Sequence, residues 1–310
     1  MRSPRLPGSW ELLCAPILLC LLIGTASSAR AAAVPTFNGG HAFEDLQRIV
    51  AFGPRPSGSP ALVETRRWII KQLERSGLPV EEDKFVAATP AGNIPMSNLI
   101  VKLPGERPQV ILVAGHYETK RFAQFRFVGA NDGGSSAALL MELARVLKQR
   151  RNALTMWLVF FDGEEAMGEW SQTDGIYGSR HLAEELSASG ELGRIRAMIL
   201  VDMIGDAHLN VQRDLNSTPW LSDLLFDTAR RLGYERFFPG KSGGYEDDHL
   251  PFVNAGVPAV DLIDFDYGPG NSYWHTPADT VDKCSPTSLT IVGRVVAAVL
   301  DELDKSPHLR

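Results

Sequence analysis

The chain has 310 residues, of which 44% are hydrophobic and 22% are charged, a composition that is ordinary for a globular protein. Its formal net charge is −6 at pH 7. Nucleic-acid-binding domains usually present a basic face, so we expect no nucleic-acid partner. The length allows one large domain or two small ones.

The first residues differ in character from the rest of the chain. Arg2 and Arg5 precede an apolar run at residues 12–23, and small residues follow. This order is typical of a secretory signal peptide, so we predict that residues 1–31 are removed and that 32–310 form one domain. The alternative is a retained membrane anchor, although the apolar run is shorter than the roughly 20 residues of a full span. We expect a secreted or periplasmic protein without stable membrane association after cleavage, and a membrane-anchored one if the segment is kept.

The cysteines are few. Cys14 and Cys20 fall inside the predicted signal peptide, which leaves Cys284 as the one thiol of the mature chain. A single thiol forms no internal disulfide, so the core alone must stabilise the domain. It also excludes a cysteine-rich structural zinc site.

The predicted elements begin with helices at 42–52 and 61–76, separated by a loop rich in Pro and Gly, and continue with short strands at 80–87 and 98–103. The chain then repeats one pattern, in which an apolar run ends in polar residues and an amphipathic helix follows. The predicted strands cover 110–114, 156–161, 197–201 and 259–263, and the predicted helices cover 135–148, 179–186, 221–231 and 286–303. This alternation predicts an α/β/α sandwich with a central mixed, largely parallel twisted sheet.

Polar residues follow the predicted strands. Open α/β sheets bind ligands at the carboxyl ends of their strands, where such residues converge. The acids and imidazoles at or near these ends, or in loops, are His116, Asp132, Glu164, Glu165, Asp202, Asp247, Asp248, His249 and His275. A cation would relieve the repulsion among the carboxylates. Imidazole and carboxylate without thiolate are typical of a catalytic zinc with an open position, whereas Mg²⁺ and Mn²⁺ prefer more oxygen.

The adjacent pair Glu164 and Glu165 is the most specific local feature. Neighbouring side chains leave the backbone in different directions, so one carboxylate can bind a metal while the other faces the substrate. The second would act as a general acid or base. The alternative is a helix N-terminus, which favours acids through its dipole.

These residues lie in motifs that resemble those of the glutaminyl cyclases (glutaminyl-peptide cyclotransferases), within the wider superfamily of M28-type zinc aminopeptidases. The motifs occupy residues 115–117, 130–132, 160–166, 170, 177–182, 201–205, 247–252 and 274–276. They occur in the family's order, and the flanking helices also fit, so the resemblance covers essentially the whole mature chain. The Glu pair is shared with the peptidases, whereas Trp170, the block 247–249, and Trp274 before His275 are the discriminating features.

The resemblance implies a zinc-exopeptidase-like fold and one Zn²⁺ per chain. Asp132, Glu165 and His275 match the zinc ligands of the cyclases. Glu164 matches their proton shuttle. The implied reaction converts an N-terminal Gln of peptides or proteins to pyroglutamate with release of ammonia, and we expect a monomer.

The remaining matched positions surround the implied substrate. Asp202 and Asp247 match two acids that hydrogen-bond near the shuttle and the leaving group. Trp170 and Trp274 match aromatic residues that line the pocket. His116 matches a position that holds a second metal in the peptidases and is structural in the cyclases.

Three departures from the family pattern concern the metal site and the pocket rim. Glu118 stands where the superfamily usually has Asp, which weakens a second metal site. Residues 266–272 are rich in glycine where the animal enzymes carry a more apolar rim, and residues 131–134 resemble bacterial relatives.

Two alternatives stay open at this stage. The first is a di-zinc aminopeptidase, in which Glu164 would act as the base that activates water. The second is a non-catalytic binding domain, which would have lost Glu164 or a ligand, and the sequence retains all of them.

Overall fold

A computed structural model describes residues 36–306, so the predicted signal peptide lies outside the described residues. The strands are β1 (Glu81–Thr89), β2 (Gly92–Leu103), β3 (Arg107–His116), β4 (Leu154–Phe161), β5 (Ile195–Asp202), β6 (Gln212–Asp214), β7 (Ser242–Gly243) and β8 (Ala259–Ile263). The α-helices are α1 (Gly39–Val50), α2 (Pro60–Arg75), α3 (Ser136–Lys148), α4 (Tyr177–Ala188), α5 (Pro219–Arg231), α6 (Leu250–Asn254) and α7 (Pro286–Lys305).

The eight strands form one mixed sheet in the order β1-β2-β4-β3-β5-β8-β6-β7. Its four central strands, β4, β3, β5 and β8, are parallel to one another. Antiparallel pairs join β1 to β2, β2 to β4, and β6 to β8. A parallel centre requires crossover helices on the faces of the sheet, and these helices bury the central strands from both sides.

Helices cover both faces of the sheet. Hydrophobic residues of α1, α2, α3, α5 and α7 pack with one set of strand residues, and those of α4 and α6 pack with the other. Successive strand residues point to opposite faces, so Leu158 of β4 joins the first cluster and Val159 joins the second. Every residue of β4 is buried, which explains why all of them except Thr155 are apolar.

The predicted α/β/α sandwich is confirmed, and each predicted helix and strand occurs within three residues of its expected bounds, except that β2 begins at Gly92, six residues before its predicted start. The short elements β6, β7 and α6 were not predicted. Strands of two and three residues are too short for a period-2 pattern, and α6 has only five residues with Pro251 in its first turn.

Two further expectations concern the membrane and the thiol. Within residues 36–306, no helix combines the length and the hydrophobicity that crossing a membrane requires. Cys284 is buried and free.

Candidate metal centre and active site

The carboxyl ends of the central parallel strands place the candidate residues at one edge of the sheet. His116 is the last residue of β3 and pairs in register with Phe161, the last residue of β4. Glu164 and Glu165 follow β4 within four residues, and Asp202 ends β5. The strand order, with β3 between β4 and β5, therefore brings His116 between the Glu pair and Asp202.

The predicted ligands Asp132, Glu165 and His275 do converge. His275 Nε2 lies 3.0 Å from Glu165 Oε1 and 3.2 Å from Asp132 Oδ2. One ligand atom from each of the three residues falls within 4.8 Å of the others. Burial lowers the pKa of His275, but Glu165 and Asp132 outweigh burial and raise it to about 10. This cluster of two acids thus favours a positive charge at its centre.

His116 forms a second group with Asp132 and Asp202. Its Nε2 atom lies 3.2 Å from Asp132 Oδ1 and 3.1 Å from Asp202 Oδ1. Its Nδ1 atom lies 3.5 Å from Glu118 Oε1. Burial disfavours the imidazolium, but the carboxylates around it outweigh burial and raise the pKa of His116 well above 6.5. In the absence of a bound metal ion, these carboxylates therefore favour the protonated, cationic form of His116.

Glu118 also connects the two groups. This carboxylate is fully buried, and its Oε1 accepts a hydrogen bond from the backbone N–H of Glu165 at 3.1 Å. The sequence identified Glu118 only as a departure from the family pattern. Its longer side chain reaches both His116 and the backbone of a metal-ligand candidate, so it stabilises the backbone that positions Glu165.

The Asp132 carboxylate is positioned by a distorted turn over Ala130–Ser135. Asp132 has non-helical φ and ψ of −81° and 105°, and Gly133 follows with φ of 77°. A Cβ atom on Gly133 would lie 2.4 Å from the Glu118 carbonyl oxygen, so only glycine fits there. Asp279 fixes the turn from outside, because its carboxylate accepts hydrogen bonds from the N–H groups of Asn131 and Asp132 at 2.8 and 3.2 Å. Sequence periodicity carried no signal for Asp279.

His275 adopts a backbone conformation that non-glycine residues rarely occupy, with φ of 52°. Such a conformation costs about 1–3 kcal/mol, and the surroundings must hold it in place. Phe122 and Phe127 approach its ring edge-on with centroids 5.6 and 5.8 Å away. Trp274 stacks on it at 4.0 Å with an interplanar angle of 18°. Aromatic rings thus fix the orientation of the imidazole.

Glu164 lies beside these ligands, and it belongs not to the group of Asp132, Glu165 and His275 but to a third possible metal group with His116 and Glu118. Burial raises the pKa of the Glu164 carboxyl well above its usual value, and the neighbouring charges of Glu165 and Asp247 add to the shift. The charge of His116 opposes the shift. A carboxyl group with a raised pKa can both take and return a proton, which is the property expected of a shuttle.

Asp202 and Asp247 form a buried acidic region behind Glu164. Burial raises the pKa of Asp247 well above its usual value, and the charge of Asp202 adds to this effect. Asp261, in the middle of β8, belongs to the same region. Its carboxylate oxygens are both buried without a hydrogen-bond partner among the described residues, and burial together with Asp247 raises its pKa well above the usual value. The sequence did not identify Asp261, because a lone acid in a short apolar strand carries no positional signal.

Two candidates lie apart from the ligands. His249 was grouped with them on sequence, but its Nε2 atom lies 3.0 Å from Asp214 Oδ2 and it joins none of the three possible metal groups among the described residues. Trp170 is 37% exposed, and its indole N–H donates to Glu246 Oε2 at 2.9 Å.

Lys120 was not identified from the sequence. Its Nζ atom lies 3.4 Å from Glu165 Oε2, next to the ligand group.

The donor set suits a zinc ion. Asp132 Oδ2 is buried and lies 3.2 Å from His275 Nε2 without hydrogen-bond geometry, as expected for two ligands that face a shared cation. One imidazole and two carboxylates are typical of zinc sites that keep a position open for substrate. No cysteine of residues 36–306 joins these groups, and the ligands are too few and too nitrogen-rich for an all-oxygen calcium site.

The sequence profile described as "Peptidase family M28" matches residues 98–300. This range contains both acidic groups and His275. The chain is therefore a member of peptidase family M28.

Comparison with individual relatives narrows the family assignment further. A glutaminyl-peptide cyclotransferase-like protein of Mus musculus is 33% identical over 80% of this chain and 72% of that protein. A glutaminyl-peptide cyclotransferase of Dictyostelium discoideum is 30% identical over 73% of this chain and 74% of that protein. The crystal structure of a glutaminyl cyclase from an Acidobacteriales bacterium is 42% identical, with a TM-score of 0.85 over 89% of this chain and 97% of that one. Within the M28 family, the chain belongs with the glutaminyl-peptide cyclotransferases, and the predicted resemblance is confirmed.

Proposed function

We propose that this protein is a zinc-dependent glutaminyl-peptide cyclotransferase, which converts an N-terminal Gln of peptides or proteins to pyroglutamate and releases ammonia. The observation that carries the proposal is Glu164, a carboxyl group with a raised pKa that directly precedes the ligand candidate Glu165. The reaction needs such a group because one proton must move between two nitrogens of the same substrate.

In the proposed reaction the substrate's α-amine, in its neutral form, attacks the carbon of its own γ-carboxamide. Glu164 takes the proton that the amine loses and returns it to the departing nitrogen, so a general base becomes a general acid. The new C–N bond closes the five-membered lactam, and the old C–N bond breaks to release ammonia. Since the attack is intramolecular, the protein's task is to hold the two groups in a near-attack geometry.

The buried acids have a supporting role in this scheme. We propose that Asp247, with Asp202 beside it, accepts hydrogen bonds from the nitrogen groups as positive charge develops on them. Burial raises the pKa values of both acids. Trp274, stacked on His275, and Trp170 would enclose the glutaminyl side chain and exclude the water that would hydrolyse it.

Asp132, Glu165 and His275 are the proposed ligands of one Zn²⁺ per chain. A bound zinc ion would polarise the γ-carboxamide oxygen as a Lewis acid and make the carbon more electrophilic. The protein groups orient this site: Asp279 holds the Asp132 turn, Glu118 holds the Glu165 backbone, and Trp274 holds the His275 ring.

A Gln-initiated peptide incubated with the zinc-loaded protein tests the proposal. Mass spectra should show loss of ammonia from the intact peptide. Release of free Gln would instead identify the aminopeptidase. The aminopeptidase remains the second candidate function because a second possible metal group could hold the additional ion that a di-zinc peptidase needs. This group consists of His116, Asp132 and Asp202.

We also propose that residues 1–31 are a signal peptide and that the mature domain acts as a secreted or periplasmic monomer. The polar and apolar order of the N-terminal residues supports export. N-terminal sequencing of the expressed protein gives the cleavage site, and an uncleaved chain in the membrane fraction would overturn the proposal. Sedimentation gives the oligomeric state.

A further inference from the structure

A cavity of about 550 Å³ lies outside the metal centre, between α4 and α6. Its α4 wall consists of Arg180, Ala183, Glu184 and Ser187, which follow the i, i+3, i+4, i+7 spacing of a single helix face. Its volume falls in the range of ligand-binding pockets, roughly 300–1,000 Å³. We call this cavity the α4/α6 groove.

One end of the groove lies next to residues of the proposed active site. Trp170 and Glu246 both line it, and Glu246 directly precedes Asp247. Ile176 lines it as well, and its backbone N–H donates to the Glu164 carbonyl oxygen at 2.7 Å. The wall residues nearest the site are therefore bonded to, or adjacent to, the proposed catalytic groups.

Trp170 lines the groove and contacts Glu246, the residue before Asp247. Its indole N–H is bound by Glu246 at 2.9 Å, and its ring lies against Gly175, where a Cβ atom would come within 2.9 Å of it. Gly175 has φ of 123°, a conformation that favours glycine. The loop is thus built to hold this ring against Glu246, at the junction of groove and active site.

The length of the groove matches a short peptide. From Arg180 to Ser187 the helix rises about 10 Å at about 1.5 Å per residue. An extended chain advances about 3.3 Å per residue. The groove therefore has room for about three residues beyond the one held in the active site.

Its charge is mainly acidic. Glu184 has no ion-pair partner among residues 36–306, and Glu246 is bonded only to a neutral indole. The guanidinium of Arg180 is turned to the carbonyl oxygens of Gln172 and Thr173, at 2.7 and 3.4 Å, and not to Glu184. Two carboxylates and one cation thus line the groove, and the cation is bonded to carbonyl oxygens and not to either carboxylate, which leaves a net charge of −1.

We propose that the α4/α6 groove binds the residues that follow the N-terminal Gln of the substrate, and that it favours Lys or Arg over Asp or Glu in the first three of them. The proposal rests on the proposed function, because it places the reacting residue beyond Trp170. It makes Glu184 and Glu246 determinants of substrate specificity.

The test compares Gln-initiated peptides in which a single Lys or a single Glu is moved through the second, third and fourth positions. In the wild-type protein, kcat/KM should be roughly two- to fivefold higher for Lys than for Glu at one or more positions, the size expected of exposed ion pairs. The preference should shrink at about 1 M salt, where the Debye length falls to about 3 Å.

The variants Glu184→Gln and Glu246→Gln should each reduce the Lys-to-Glu ratio, and Glu246→Gln keeps an oxygen that can accept from Trp170. Glu185→Gln is the matched control, because this exposed neighbour on α4 loses the same charge but does not line the groove. A ratio of one at every position, or an equal reduction in the Glu185→Gln protein, would overturn the proposal.

A measurement without turnover separates this proposal from the proposed function. Pyroglutamyl peptides with the same Lys or Glu positions can be titrated into the zinc-loaded protein by calorimetry. Tighter binding of the Lys peptides that is reduced by Glu184→Gln and not by Glu185→Gln would support peptide binding in the α4/α6 groove, even if the protein never cyclises an N-terminal Gln. Equal binding of the Lys and Glu peptides would contradict the proposed specificity of the groove, even if the protein cyclises an N-terminal Gln normally.

Discussion

The Asp132 carboxylate lies between two imidazoles: Oδ1 is 3.2 Å from His116 Nε2, and Oδ2 is 3.2 Å from His275 Nε2. The two imidazoles differ in their other contacts. His116 also has Glu118 within 3.5 Å of its second nitrogen, whereas the ring of His275 is enclosed by Phe122 and Trp274. Glu118 can therefore stabilise a proton on His116, whereas the carboxylates that raise the pKa of His275, Glu165 and Asp132, are the proposed co-ligands of a metal ion that would replace its proton.

This difference predicts one zinc per chain. Metal analysis of the zinc-saturated protein should give a stoichiometry of one, and the His116→Gln protein should retain the same value. Two ions in the wild type that fall to one in the variant would identify His116 as a ligand of a second metal and favour the aminopeptidase.

His275→Ala should lose zinc and activity together, because it removes the only nitrogen donor of the ligand group. Equilibrium dialysis against a chelator of known affinity measures the loss. His181→Ala is the matched control, since this imidazole pairs with Asp83 at 3.1 Å away from the ligand group. Stoichiometric zinc retained by the His275→Ala protein would rule out this ligand.

Glu164→Gln should keep its zinc and lower kcat by roughly 10²–10⁴, the usual contribution of a general acid or base. Glu165→Gln, one residue later, should instead weaken zinc binding, because Glu165 belongs to the ligand group. Zinc content and kcat measured on both proteins separate the two roles. Turnover of the Glu164→Gln protein within a few-fold of the parent would exclude the shuttle.

The rate should increase with pH at low substrate concentration. The reference pKa of an α-amine is about 8, so the neutral nucleophile becomes more abundant between about pH 6 and 9. The profile of kcat/KM over this range measures the effect, and a substrate with a less basic amine should shift the midpoint downward. A flat profile would argue against attack by the amine.

Stability should depend on pH through Asp264, which is fully buried and belongs to none of the possible metal groups among the described residues. Burial raises its pKa from 3.8 to about 7. The hydrogen bonds that its oxygens accept from the N–H groups of Asn210 and Asp266 oppose this shift. The folded state therefore binds this proton more tightly than the unfolded state. This contribution to stability is complete below about pH 4 and is lost as the pH rises to about 7, by at most about 4 kcal/mol.

Chemical denaturation at several pH values measures this slope. The Asp264→Asn protein should lose part of it, whereas Asp227→Asn, a change at an exposed acid of α5, should leave it unchanged. Equal slopes in the wild type and the Asp264→Asn protein would contradict the raised pKa. Burial and not ion pairing causes the shift, so salt should change the slope little.

The sequence by itself determined the architecture and most of the candidate ligands. Apolar runs that end in polar residues identify parallel strands, and parallel strands bring their carboxyl ends to one edge. His116, Glu164, Glu165 and Asp202 could be assigned to that edge because each directly ends or follows such a run. Local geometry predicted that one residue of the adjacent Glu pair binds a metal while the other faces the substrate, and the family resemblance assigned these roles to Glu165 and Glu164.

Only the tertiary structure decided which side chains support the candidate ligands. Asp279 holds the turn at Asp132 from 147 residues away, and Glu118 reaches the backbone of Glu165 from 47 residues away. His249 was grouped with the ligands on sequence, yet it contacts Asp214. Periodicity reports which face of its own element a residue occupies, whereas its partner depends on strand order, register and loop path. Those are properties of the packed chain, and they fix Asp132 between the two imidazoles.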